Sequence, residues 1–287
     1  MTIASRRDFL KVAGAAAVIA GAGKAEARTL KVPVGLQLYS VRDFMAKDLQ
    51  SALNNVHTAG YNVVEAAGFF NRTAADFRKA TETAGLRCVS AHYPLSLLES
   101  QLDSTIGYAR ELGLEYMVCS SSDGTYRNPN THGEPTLDDW HWRIDQFNRI
   151  GATVKAAGMT FGIHNHPPEF ATIDGVLVYD EIMKLTDPKV VTLQMDCGWV
   201  YSSGYNPAEY IARDPSRFQL LHVKDMILVP GSTEPKLPVM GKGHIDNVPI
   251  LRAATHLKYY FIEQEAFEGD PMTELREDAD YMKHLNF

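Results

Sequence analysis

Cysteine is scarce in this chain. Its 287 residues hold three, Cys88, Cys119 and Cys197. They are odd in number and too widely spaced for a disulfide framework or a C-x-x-C metal site, and they read as small buried apolar side chains. Basic charge is also short: 28 Lys and Arg face 35 Asp and Glu, a net charge of −7, with no basic run. That balance excludes a surface built for nucleic acid. No G-x-G-x-x-G follows the first apolar run, so the dinucleotide-binding signature is missing. No linker rich in proline or glycine divides the chain into domains.

What is present begins with a targeting segment, residues 1–27. Ser5-Arg6-Arg7-Asp8-Phe9-Leu10-Lys11 precedes an Ala/Gly-rich apolar run from Val12 to Gly23, and Ala25-Glu26-Ala27 follows as a cleavage signal. The paired arginines closely resemble a twin-arginine signal, an address read by the export machinery rather than an anchor. The apolar run is too short and too dilute for a permanent span. The expectation is an exported or periplasmic protein that starts near Arg28. The removed segment has four basic and two acidic residues, so the mature chain carries −9.

From there, apolar runs alternate with amphipathic ones. The runs Val32–Tyr39, Tyr61–Ala66, Leu86–Ala91, Leu114–Cys119, Met159–Ile163, Val190–Met195, Phe218–Val223 and Tyr259–Ile262 read as eight strands. Continuous apolar strands imply burial on both faces, hence a parallel sheet covered by helices. Between them lie helical patterns: one after Asp43, which can cap it, then Thr73–Ala84, Glu99–Leu112, Trp140–Ala157, Gly175–Leu185, Pro207–Ala212, Val248–His256 and Met272–His284. Trp140, Ile144, Phe147, Ile150 and Val154 form one apolar stripe. Two long connections, Ser120–Asp138 and Met226–Ile245, have the length of binding loops or lids. Eight βα units in residues 28–287 predict a (β/α)8 TIM barrel.

In such a barrel the strand C-termini converge on one face, where active sites are built. Polar residues stand at those ends: Gln37, Tyr39, Glu65, His92, His164, His166, Glu169, Asp196, His222, Lys224, Glu263 and Glu265. The stretch Gly162-Ile163-His164-Asn165-His166-Pro167-Pro168-Glu169-Phe170 is the densest. Imidazoles and carboxylates at the ends of strands five to eight point to a divalent metal, with Mn, Co, Zn and Mg all open. Buried unpaired acids are costly, and a shared cation offsets that cost. Each residue alone has a plainer reading: Glu65 could pair with an arginine, Asp196 could cap a turn, Lys224 could pair with Asp225, and Asp246 could cap the helix that follows it.

The series IHNHPPEF, LQMDCGWV, LLHVKD, GKGHID and YFIEQE resembles the sugar phosphate isomerase/epimerase superfamily of xylose isomerase-like TIM barrels. It is closest to an exported branch with HNH at strand five. The resemblance spans residues 34–267. It implies one divalent metal held by Asp196, His222, Glu263 and a strand-five residue, for which His164 stands where a Glu is expected. His166 and Glu169 are the other strand-five candidates. It implies proton transfer through an enediolate by Glu263 with Glu169 or His166, assisted by Lys224. It implies a sugar site formed by Gln37, Tyr39, Glu65, His92 and Trp199, with Trp199 as a stacking platform. The expected activity is isomerisation or epimerisation of an unphosphorylated sugar or keto-sugar. Elimination from a 3-keto-glycoside on the same site, or sugar binding without catalysis, are the alternatives. Endonuclease IV shares the barrel, but an acidic exported chain does not suit DNA.

Overall fold

The computed structural model describes residues 32–122, 124–128, 132–232 and 234–286. The segment read as a targeting signal lies outside the described residues. Eight strands close into a parallel barrel: β1 (Val34–Gln37), β2 (Val63–Ala66), β3 (Arg87–Pro94), β4 (Tyr116–Ser121), β5 (Thr160–His164), β6 (Val191–Asp196), β7 (Phe218–Val223) and β8 (Tyr259–Ile262). Each pairs with its chain neighbour, and β8 returns to β1 through Val34 opposite Tyr260. The expected TIM barrel is present.

The helices start where short polar side chains can accept from free N–H groups. Thr73 caps Ala74–Thr83, and Thr136 with Asp139 makes a capping box for Leu137–Ala156. Along that second helix Trp140, Ile144, Phe147, Ile150 and Val154 are all buried, as their spacing predicts. Each such burial stabilises the fold by about 1.5–3 kcal/mol. Asp246 caps Asn247–Ala253 through Val248 N–H.

Some boundaries differ from the sequence reading. Asp43 does not cap the helix carrying Leu49, Leu53 and Val56; it sits inside the preceding turn, Arg42–Lys47, and Asp48 is the cap, accepting from Ser51 N–H. Helix Glu99–Leu112 is two pieces, Leu95–Ser100 and Leu102–Leu112. The helix expected from Gly175 starts at Val178, because Thr172–Ile173 and Val176–Leu177 pair as a hairpin. Its two-residue turn is Asp174 (φ 52°) and Gly175 (φ 80°), the left-handed pair that tight hairpins require. A short helix, Cys197–Ser202, was not anticipated.

Along each strand, side chains two residues apart share a face. Inside the barrel this step separates two layers. The lower one is apolar: Val63, Val89, Tyr116, Val118, Leu220, Tyr259 and Phe261 pack together. One step further along the same strands come Glu65, His222 and Glu263. A Cβ on Gly35 would stand 2.5 Å from Tyr260 O and 2.7 Å from Phe261 Cδ1, so glycine here makes room for the Phe261 ring. The three cysteines are free and buried. Burial pushes the Cys88 thiol up to about 12, so it stays protonated and inert.

Candidate metal centre and active site

At the C-terminal mouth lies a cavity of about 480 Å³, lined by Tyr39, His92, Ser120, Ser121, Ser122, His164, His166, Glu169, Glu263 and Glu265 among others. Among the described residues no lysine or arginine lines it. At its floor, donor atoms of His164, Asp196, His222 and Glu263 all lie within 4.8 Å of one another, and all four residues are buried. β5, β6 and β7 deliver the first three, and Glu263 is the residue after β8. The register sets Asp196 opposite His222.

The separations are those of ligands around one ion. His222 Nδ1 is 3.2 Å from Glu263 Oε2 and 4.0 Å from Asp196 Oδ2, while His164 Nε2 is 3.8 Å from Asp196 Oδ2. Two ligands each about 2.1 Å from a tetrahedral metal stand roughly 3.4 Å apart. Asp196 Oδ2 is buried and receives no aligned hydrogen bond, although Lys224 Nζ lies 2.9 Å away. The other Asp196 oxygen accepts from Trp199 N–H and caps Cys197–Ser202. Asp196 therefore caps a turn and still offers an oxygen to the cluster. These four residues fit a divalent cation.

Lys224 is the counter-charge. Its ammonium touches Asp196, Glu263 (2.8 Å) and Glu265 (2.7 Å). Burial opposes the charge, but those carboxylates outweigh it and hold Lys224 well above its ordinary value. Glu263 is burial-penalised in the same way, yet Lys224 and His222 keep it well below the carboxylate range. Burial raises Glu265, with Lys224 opposing that rise. For His222, burial is overcome by Glu263 and Glu65, and its value rises to about 10. His164 falls well below its ordinary value, through burial and then His222 and His166. Lys224 does not pair with Asp225. Asp225 instead accepts from the N–H groups of Met226, Gly241, Gly243 and Ile245, so the turn at Gly241-Lys242-Gly243 cradles the chain's own carboxylate.

His166 and Glu169 hold each other. The Glu169 carboxylate accepts from His166 N–H at 2.7 Å, and Glu169 N–H donates to the His166 carbonyl oxygen at 3.3 Å. Burial lowers His166, which keeps it neutral. Both residues line the cavity.

The remaining expected sugar contacts divide into two groups. Tyr39 is 41 % exposed on the rim beside Arg42, and His92 lines the wall. Gln37 and Glu65 are fully buried below, where Gln37 Nε2 donates to Glu65 Oε1 at 2.8 Å. Among the described residues Glu65 pairs with no arginine; it meets His92 and His222. Trp199 is not among the cavity-lining residues, and Lys224 Nζ lies 5.0 Å from its ring centre. A Cβ on Gly198 would meet Lys224 Cγ at 2.4 Å, so this glycine admits the lysine stem. Ser120, Ser121, Ser122 and Gln194 were not singled out from the sequence. The serines sit where a strand end enters a loop, and Gln194 lies in an apolar run; only the two-residue step inward from Thr192 marks it.

Residues 53–285 match the family described as xylose isomerase-like TIM barrel. The chain belongs to that family. Among relatives of this xylose isomerase-like barrel, the inosose dehydratase of Clostridium beijerinckii is 23 % identical over 256 residues, covering 80 % of this chain and 82 % of its own. A sugar phosphate isomerase/epimerase from Parabacteroides distasonis has the same fold, with TM-score 0.72 and 24 % identity, over 88 % of this chain and 94 % of that one. The IOLI protein, solved with a bound zinc atom, superposes with TM-score 0.67 at 14 % identity, over 87 % and 96 %.

Proposed function

We propose that this chain is a metal-dependent enzyme that removes the proton next to the carbonyl of an unphosphorylated, polyhydroxylated ketone and then expels the neighbouring hydroxyl as water. The observation that carries the reading is the four-donor cluster at the floor of a cavity whose lining, among the described residues, has hydroxyls, imidazoles and carboxylates but no cation for a phosphate.

His164, Asp196, His222 and Glu263 would hold the ion; two imidazoles with two carboxylates suit zinc or cobalt better than magnesium. When bound, a divalent cation supplies Lewis acidity toward a carbonyl oxygen. Glu265 lines the cavity outside the four-donor set and is held by Lys224, which supports a role for it as the base for the α-proton. The neutral His166 ring lines the cavity and can donate a hydrogen bond to the departing hydroxyl, while the proton taken by Glu265 passes to that hydroxyl and leaves with it as water. Ser120 to Ser122 offer hydroxyls to a polyol, and Tyr39 closes the rim. Elimination is favoured by the curated relatives, named as inosose dehydratases. Isomerisation or epimerisation is the second reading. It shares the first proton abstraction, and it is supported by the likeness to a sugar phosphate isomerase/epimerase.

The test is incubation of the zinc- or cobalt-loaded protein with keto-inositols, ketoses, aldoses and 3-keto-glycosides in D2O. Deuterium next to a carbonyl together with an absorbing enone or dione product is the expected result. Deuterium without water loss selects the isomerase reading. No exchange with any of these compounds would leave a sugar-binding role. Export through the twin-arginine route is part of the proposal, and replacing both Arg6 and Arg7 by Lys should trap the protein in the cytoplasm.

A further inference from the structure

We propose that Glu65, directly and through Gln194, is the positioning residue that sets ring orientation and tautomer for both histidines of the four-donor cluster. The inference rests on the metal reading above.

Glu65 is fully buried at the end of β2, across the barrel from β6 and β7. Its carboxylate is met by five donor groups. Oε1 faces Gln37 Nε2 at 2.8 Å, His222 Nε2 at 2.6 Å and His92 Nε2 at 2.8 Å. Oε2 accepts from Ser90 Oγ and from Gln194 Nε2, the latter at 2.8 Å. An ionised carboxylate only accepts, so every atom facing it must carry hydrogen. On His222 the Nε2 proton is therefore held by Glu65, and Nδ1, toward Glu263 and Asp196, is the atom left for a metal.

The second histidine follows by one relay. Because the Gln194 amide nitrogen donates to Glu65, its oxygen points the other way, to His164 Nδ1 at 3.0 Å and His92 Nε2 at 2.8 Å. A carbonyl oxygen also only accepts, so His164 carries its proton on Nδ1. Its Nε2 is then left facing Asp196 Oδ2. The two ligands end in opposite tautomers, each with its lone pair at the cluster. Hydrogen bonds of this kind behind a metal-bound imidazole fix its orientation, and losing them weakens metal binding about 10- to 100-fold.

A rival use of the same residues is a second ion on His92, His164 and His222, whose donor atoms also lie within 4.8 Å. The His92 and His222 rings are stacked, 5.1 Å apart and 9° from parallel, and their Nε2 atoms both face Glu65 Oε1. Ring lone pairs lie in the ring plane, so those of stacked rings do not converge on one ion. The contact is a shared carboxylate, not a second metal site.

The test measures zinc on the full mature chain. Wild type should bind one zinc per chain. In long-range proton–nitrogen spectra of histidine-labelled protein, one zinc-bound imidazole should be ligated through Nδ1 and one through Nε2. Gln194→Met and Glu65→Gln should each weaken zinc binding about 10- to 100-fold in competition with a chromophoric chelator. The double variant should lose less than the product of the two, since both act in one relay. If Glu65→Gln does not fold, the wild-type spectrum and Gln194→Met carry the test. Zinc-bound imidazoles of the same tautomer overturn the proposal. So does unchanged zinc affinity in Gln194→Met, whether or not the metal-free variant melts lower. Two zinc ions per chain overturn it in favour of the three-histidine site. A wild type that binds no zinc, cobalt or manganese overturns the metal reading itself.

Discussion

Lys224 Nζ lies 2.9 Å from Asp196 Oδ2 at the floor of the cavity, and neither side chain is exposed to solvent by more than 2 %. The same ammonium holds Glu263 and Glu265, so one cation compensates three carboxylates. A buried charge left without its partner costs about 3–5 kcal/mol. Lys224→Met should therefore destabilise the metal-free protein by about that much, and zinc should restore more stability to the variant than to wild type. Denaturant unfolding with zinc and with EDTA measures both. Equal stability of variant and wild type in EDTA would show that Lys224 is not the compensating charge.

Metal analysis of purified protein should find about one divalent ion per chain, since one four-donor cluster is built at the floor. Asp196→Asn removes a negative ligand, and His222→Ala removes an imidazole. Either should empty the site, and EDTA should lower the melting temperature of wild type but not of the variants. Full occupancy in both variants would sink this ligand set.

Asp278 is buried on the last helix, where it accepts from Met240 N–H. Burial, with Glu274, Glu277 and Asp225 nearby, pushes its carboxyl up from 3.8 to about 7. The folded state thus holds this proton more tightly than the unfolded chain does. Its favourable contribution is full below the unfolded value and is lost as pH rises from about 4 to 7. A shift of that size corresponds to about 4 kcal/mol at most. Asp278→Asn keeps an acceptor for Met240 N–H without the charge. It should be more stable than wild type at pH 8 and gain nothing at pH 4, as urea unfolding at the two pH values would reveal. Equal gains at both would remove the titration argument.

Gly35→Ala places a methyl against Tyr260 O and the Phe261 ring. Overpacking of this kind typically costs about 1–3 kcal/mol. Because the clash lies in the apolar layer, zinc affinity should fall far less than stability does. Thermal unfolding and zinc titration of one sample separate the two.

The barrel was legible because each strand is an apolar run and each helix an apolar stripe. Trp140, Ile144, Phe147, Ile150 and Val154 needed only their spacing to be placed in the core. Asp196, His222 and Glu263 were legible as strand-end polar groups, and His164 stands with them in the cluster. The helix cap was misread because Asp43 and Asp48 have equal capping chemistry. Only the chain path decides which precedes the helix.

His222 lies between two apolar neighbours, Leu221 and Val223. In the barrel those two neighbours face the helices, and His222 continues the inward row Leu220, His222, Lys224. The local sequence determined which residues alternate, which segments are strands and that polar groups gather at their ends. Closure of the barrel decided what those groups meet. Glu65 and His222 are 157 residues apart in the chain and 2.6 Å apart in space, and Gln194 acts only because β2, β5 and β6 face one interior. Partnership across a barrel depends on strand register and tilt, which no single strand encodes. For that reason the sequence could name Glu65 as a polar strand end, while its place behind the two histidines came from the tertiary structure alone.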